Sequence, residues 1–362
     1  MGKRLVVCCD GTWNRPDQLH NGVATPTNVA KLALAVAPED GAGAAQRLHY
    51  QPGVGTRRSE RVRGGAFGLG LSRNVRECYR FLVDCYEPGD ELYFFGFSRG
   101  AFTARSTVGM VRNCGILRRE HVDRIPDAYR LYRGRDEPTK PDGMEAQLFR
   151  RMYAHPEARI HFVGVWDTVG ALGIPVEGAL VPLVKLWSFH DTRLSRYVRF
   201  AYHALAIDEQ RRPFEPTLWE QHEEAEEQTL EQVWFAGVHS DVGGGYSEPA
   251  LAEIPLLWMV GRARAAGLAF VPDRLVHPDD GLDEKLRHLG IQVAPDALGP
   301  MHDSLKGLYR LFDRRRRALA GDGASVASSA ITRRDQAGDY DPPELARYLA
   351  AGGGQTPVED VG

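Results

Sequence analysis

The residues with the clearest chemical potential are Ser98 and the glycines around it, in Gly96-Phe97-Ser98-Arg99-Gly100. A serine hydroxyl acts as a nucleophile when a sharp turn lifts it clear of the backbone and a base stands ready to take its proton. Glu91-Leu92-Tyr93-Phe94-Phe95 reads as a strand running into this turn, and Ala101-Phe102-Thr103-Ala104-Arg105 as the opening of a helix. Glycines on both sides suit such an elbow, because a side chain there would strike the adjoining strand or helix. Ser98 is therefore the candidate nucleophile, set against the plainer reading of a tight turn that happens to contain serine.

A nucleophilic serine needs a base, an acid to orient that base, and donors for the oxyanion. His239, beside the glycine run Gly243-Gly244-Gly245, ranks first as base, and His302, in Met301-His302-Asp303-Ser304, second. Asp167 leads as orienting acid and Asp241 follows. The oxyanion donors expected from this architecture are the backbone N–H of Arg99 and an N–H from Gly11 or Thr12. Asp10 divides evenly between organising its loop and a direct place in the site. His203 alternates with apolar neighbours in Phe200-Ala201-Tyr202-His203-Ala204-Leu205 and reads as a core histidine.

The elements that must hold these groups can be read in order. Leu5-Val6-Val7-Cys8-Cys9 is apolar throughout, as a strand buried on both faces should be, and it ends at Asp10-Gly11-Thr12-Trp13-Asn14. A helix follows Thr25-Pro26-Thr27-Asn28, then a strand at 47–51, then a helix carrying Val75, Cys78, Tyr79, Leu82 and Val83, for which Ser72 is the expected cap. Further strands at Ile160-His161-Phe162-Val163-Gly164-Val165-Trp166 and Val233-Trp234-Phe235-Ala236-Gly237-Val238 end at Asp167 and at His239 with Asp241. Alternating strands and helices require a mostly parallel sheet with helices on both faces, and such sheets place their sites at the carboxyl ends of the strands. The expected fold is thus α/β-hydrolase-like, with helical cap insertions. If the strands lie in sequence order about 4.8 Å apart, Asp167 is one strand from Ser98 and His239 is two. The competing pair, Asp241 with His302, follows the commoner chain order for this fold. Both assignments keep Ser98.

The length of 362 residues suits one catalytic domain over 1–345, with insertions at about 118–156 and 171–232, and a partly disordered tail over 346–362. Within the second insertion, Leu180 to Phe189 is apolar and suited to a lid. Charged residues are 26% of the chain and the formal net charge is -3, so no basic field recruits nucleic acid. Cys8, Cys9, Cys78, Cys85 and Cys114 are odd in number and lack Cys-x-x-Cys spacing, reading as reduced thiols. The run Leu5 to Cys9 is too short for a signal-peptide core or a membrane span, which makes the cytoplasm the default compartment. No metal and no cofactor is expected.

Four blocks, Cys9 to Asn14, Gly96 to Arg105, Gly164 to Gly170 and Gly237 to Tyr246, together resemble the DUF2235 family, the catalytic domain of Tle1-like phospholipase effectors of type VI secretion. Tyr202 to Arg211 resembles a further block, and the similarity runs over about residues 3–310. The resemblance implies a Ser-Asp-His esterase acting on phospholipid acyl chains in transient contact with a membrane surface, and carries the triad onto Ser98, Asp167 and His239. It leaves open whether the chain is an exported effector or a housekeeping lipase. Two other classes remain: a metal-dependent phosphoester hydrolase using Asp10, Asp167, His239 and Asp241, and a catalytically silent binding module.

Overall fold

The computed structural model describes residues 2–54 apart from 13, 15, 16 and 21, then 66–170, 193–276 apart from 224 and 226, 290–305 and 314–356. Its centre is an eight-stranded sheet: β1 (Arg4–Cys9), β2 (Gln46–Gln51), β3 (Glu91–Phe97), β4 (Ile160–Trp166), β5 (Val198–Ala206), β6 (Thr229–Phe235), β7 (Ala324–Ala327) and β8 (Gln355–Thr356). The spatial order is β2-β1-β3-β4-β5-β6-β7-β8, and every adjacent pair is parallel. The order reverses between β1 and β3, which opens a crevice at the carboxyl ends of those two strands.

Strand β1 shows why the sheet is covered on both sides. Leu5, Val7 and Cys9 enter one core with the helices α2 (Ala66–Cys85), α3 (Arg99–Cys114) and α4 (Ile125–Arg133). Val6 and Cys8 enter the other, with α1 (Asn28–Ala35) and a later helix over Ala250–Ala265. Period-two alternation of an all-apolar strand feeds both layers. The interval 118–156 holds α4 and α5 (Met144–Tyr153). Among the described residues, two short two-stranded sheets lie outside the main one.

The structure departs from the sequence reading at three places. The helix expected to begin at Ser72 begins at Ala66, and the Ser72 hydroxyl instead accepts a 2.8 Å hydrogen bond from Tyr129. Gly68 and Gly70 weigh against helix by propensity alone, but tertiary packing overrides it, with Gly70 set so close that a Cβ would lie 3.2 Å from Val54. Second, β5 lies inside the interval read as an insertion, so the sheet has one more strand between Asp167 and His239 than expected. Third, the Gly352-Gly353-Gly354 run leads the chain from a helix over Pro343–Ala350 into β8, which pairs with β7. The apolar stretch from Leu180 to Phe189 falls outside the described residues. No helix among the described residues is long and apolar enough to cross a membrane.

Candidate active site

Ser98 sits between β3 and α3 with φ 57° and ψ -122°, a conformation costly for a residue with a side chain. The turn is held by its neighbours. A Cβ on Gly96 would lie 2.6 Å from the Cα of Ala101, and one on Gly100 would lie 2.1 Å from the carbonyl oxygen of Cys9. Both glycines are therefore required by the closeness of α3 to β3 and β1. The Ser98 N–H donates to the Trp166 carbonyl at 3.0 Å, continuing the β3–β4 ladder through the turn.

His239 begins the short helix α6 (His239–Gly243), after β6. Strand β6 is three strands from β3, roughly 14 Å across the sheet, so the chain must double back. Gly237, at φ 105°, makes the bend, and α6 then packs over the end of β3. Gly243 abuts the Phe97 ring so closely that a Cβ would lie 1.9 Å from it. The His239 ring is buried between Phe97 and Phe214, with centroid separations of 4.6 and 4.9 Å. Its Nε2 lies 2.8 Å from Ser98 Oγ and its Nδ1 2.5 Å from Asp167 Oδ2.

Asp167 caps the end of β4 at φ 39° and is fully buried. Its Oδ1 accepts from the Ala206 N–H at 3.1 Å, and both oxygens are gripped by Arg317, Nη1 to Oδ1 at 2.6 Å and Nη2 to Oδ2 at 3.0 Å. Burial alone would raise the pKa of this carboxyl, but Arg317 and His239 more than offset it and hold it well below the usual carboxylate range. For His239 the balance goes the other way. Burial lowers its pKa below the ordinary value and outweighs the hydrogen bond and charge of Asp167.

The other candidates form separate networks. The Asp241 Oδ1 lies 2.6 Å from His302 Nδ1, and its Oδ2 accepts the N–H groups of Val238 at 3.0 Å and His302 at 3.2 Å. The His302 ring stacks on Tyr246 at 3.9 Å, and its Nε2 is 3.7 Å from a carboxylate oxygen of Glu248. Asp10 accepts from the Gly11 N–H at 2.6 Å, Thr27 Oγ1 at 2.8 Å and the Tyr50 hydroxyl at 2.5 Å. Burial raises its pKa against these bonds, and its contacts are those of a loop organiser. The Gly11 N–H is thus taken by Asp10, which leaves Thr12 as the donor to consider from that loop. His203 is fully buried in β5, with Nε2 accepting the Thr168 N–H at 3.1 Å, as a core histidine should.

Two residues at this site escaped the sequence reading. Glu209, 1% exposed, accepts a two-pronged bond from Arg211 and bonds the His239 N–H at 3.3 Å and Ser304 Oγ at 3.1 Å. Arg317 is the other, and it lies in Arg314-Arg315-Arg316-Arg317, where nothing in the sequence separates one arginine from the next. A cavity of about 970 Å³ lies elsewhere, against the far side of α3, where Arg105, Arg112, Lys140 and Arg193 help to line it. None of Ser98, Asp167 and His239 reaches it.

Comparison with known proteins agrees with the blocks that surround this site. The model of the family described as T6SS, Phospholipase effector Tle1-like, catalytic domain matches residues 3–262. The match stops short of the 310 expected from the motifs, so His302 and Arg317 lie beyond it. An uncharacterized protein of Saccharomyces cerevisiae is 30% identical over 234 residues, 59% of this chain and 32% of the relative. The chain thus spans about a third of that relative's length. Among solved structures, an uncharacterized protein from Pseudomonas aeruginosa is 20% identical, with a TM-score of 0.47 over 81% of this chain and 49% of that one. The Tle1 effector bound to the VgrG spike from the Type 6 secretion system is 14% identical, with a TM-score of 0.43 over 82% of this chain and 77% of that one. By the family match over most of its length, the chain belongs to the Tle1-like phospholipase effector catalytic domains of type VI secretion.

Proposed function

We propose that this chain is a serine carboxylic-ester hydrolase of the phospholipase type. The observation that carries the reading is the continuous contact from Ser98 Oγ through His239 to Asp167, built on a strained turn at the switch point of a parallel sheet. In this mechanism Ser98 Oγ attacks the ester carbonyl carbon while His239 Nε2 takes the hydroxyl proton. The carbonyl oxygen becomes an oxyanion facing the N–H of Arg99, at the N-terminus of α3, and that of Thr12. Collapse breaks the C–O bond, His239 returns its proton to the departing alcohol, and the acyl group stays on Ser98. Water then attacks the acyl carbon and gives its proton to His239; the C–O bond to Ser98 breaks, His239 returns the proton to Ser98 Oγ, and the fatty acid leaves. Asp167 remains ionised throughout and holds the ring in the tautomer that leaves Nε2 free to accept.

A phospholipid substrate follows from the family description and not from the geometry. The metal reading finds less support. Asp10, Asp241 and the Asp167–His239 pair sit in three separate networks, and among the described residues no three His, Cys, Asp or Glu side chains gather as ligands. The deciding experiment is labelling with a fluorophosphonate probe, with and without EDTA, alongside hydrolysis of a diacyl phospholipid. Labelling that is unaffected by EDTA and absent in Ser98→Ala is expected. Hydrolysis that survives in Ser98→Ala to within a few-fold would overturn the reading.

A further inference from the structure

Arg317 has two neighbours besides Asp167. Its Nη1 donates to the Ala206 carbonyl at 2.8 Å and its Nη2 to the Phe214 carbonyl. The residue is 6% exposed, in contrast to Arg314, Arg315 and Arg316 beside it, which are exposed. A guanidinium loses much hydration on burial, and a planar fork matched to both carboxylate oxygens is the arrangement that compensates. The two carbonyls fix the plane of that fork from β5 and from the turn before Glu215. Since Phe214 also packs edge-on against the His239 ring, one backbone segment locates both the clamp and the imidazole.

We infer that Arg317 is a positioning residue for the hydrolytic centre: it pins both oxygens of Asp167, fixes the direction in which that carboxylate meets His239 Nδ1, and neutralises part of its charge. The inference rests on the proposed triad and adds a fourth member to it. Its electrostatic consequence is specific. Asp167 alone would favour the charged imidazolium, whereas Asp167 already paired with a guanidinium favours it less, so His239 stays unprotonated, and able to act as a base, to lower pH. The charged groups around the ring are Asp167 from the end of β4, Glu209 with Arg211 from beyond β5, Asp241 on its own helix, and Arg317. Of these, Arg317 is the one that grips both oxygens of Asp167.

The test is to titrate His239 by NMR from its labelled imidazole, in the whole chain and in Arg317→Gln and Arg317→Lys, and to record the pH profile of kcat/KM beside it. Removing the charge in Arg317→Gln should raise the His239 pKa, and with it the acid limb of the profile, by about one unit. Arg317→Lys keeps the charge and loses the fork, so its limb should stay near wild type while kcat falls. A purely structural arginine would lower the melting temperature of both variants and leave the titration where it was, and that result overturns the inference. If neither variant folds, the wild-type arginine side chain decides: an Arg317 guanidinium whose Nη groups rotate freely by NMR contradicts a fork held on both oxygens of Asp167. The NMR readout needs no turnover. A chain without Ser98-dependent hydrolysis would therefore refute the proposed function while leaving the Arg317 effect separately measurable.

Discussion

Helix α6 carries two residues that each form half of a histidine–aspartate pair, and the pairs differ in what stands at the far nitrogen. His239 meets Asp167 at 2.5 Å through Nδ1 and Ser98 at 2.8 Å through Nε2. His302 meets Asp241 at 2.6 Å through Nδ1, but its Nε2 faces Glu248, whose side chain is 63% exposed. The aspartate contacts are almost the same. What separates a candidate base from a structural tie is the group it can deprotonate, together with burial: one ring is wedged between Phe97 and Phe214, while the other is stacked on Tyr246 at the edge of the site. Asp241 bonds the N–H of Val238, the residue before His239, so the second pair braces the first.

The sharpest way to break this comparison is to remove each histidine. His239→Ala and Asp167→Asn should each lower kcat by about 10³-fold or more, whereas His302→Ala should leave it within about threefold. Steady-state kinetics on variants shown to be folded by circular dichroism checks this, and a near-wild-type His239→Ala would transfer the role to His302. Next in size is Asp241→Ala, which strands the N–H groups of Val238 and His302. It should cost about 1–3 kcal/mol in denaturant unfolding and lower kcat by about tenfold through movement of His239. An unchanged unfolding midpoint would show that the brace carries no load.

Acidity sharpens the contrast further. His203 has its pKa lowered to about 3, chiefly by burial and then by the charge of Arg105, and His239 is shifted in the same direction. In the unfolded chain both rings take up protons near 6.5. Between that value and the lower folded ones the unfolded state binds more protons, so stability should fall as pH drops from about 6.5 toward 3. Urea titrations across that window check it, and His203→Gln should flatten the slope. The smallest expected effect belongs to Tyr246→Leu, which removes the stack on His302 and should cost about 0.5–1.5 kcal/mol with kcat unchanged.

The strands that carry Asp10, Ser98 and Asp167 were legible because each is a predominantly apolar run, broken only by His161 in β4, that ends in a polar loop, which is how strands buried on both faces look. Strand β5 was missed for the opposite reason. Val198-Arg199-Phe200-Ala201-Tyr202-His203 mixes a cation and an imidazole into six of its nine residues and lies in a long interval read as an insertion, although His203 is fully buried and satisfied by Thr168. That omission made His239 look two strands from Ser98 when it is three, and the bend at Gly237 that closes the gap is invisible without the sheet order. Arg317 was not legible at all. In a run of four arginines only the tertiary structure selects the one that turns inward.

The clamp on Asp167 also bears on the order in which the chain is made. Ser98, Asp167 and His239 emerge from the ribosome well before residue 317, and at about 5–20 residues per second the interval between the serine and the arginine is roughly ten to forty seconds. During that time the elbow and the strands on either side of it can form while the Asp167 carboxylate still lacks its counter-charge. A site of this design is completed by a late stretch of polypeptide, so a nascent chain displays its serine long before it holds the full set of groups around it.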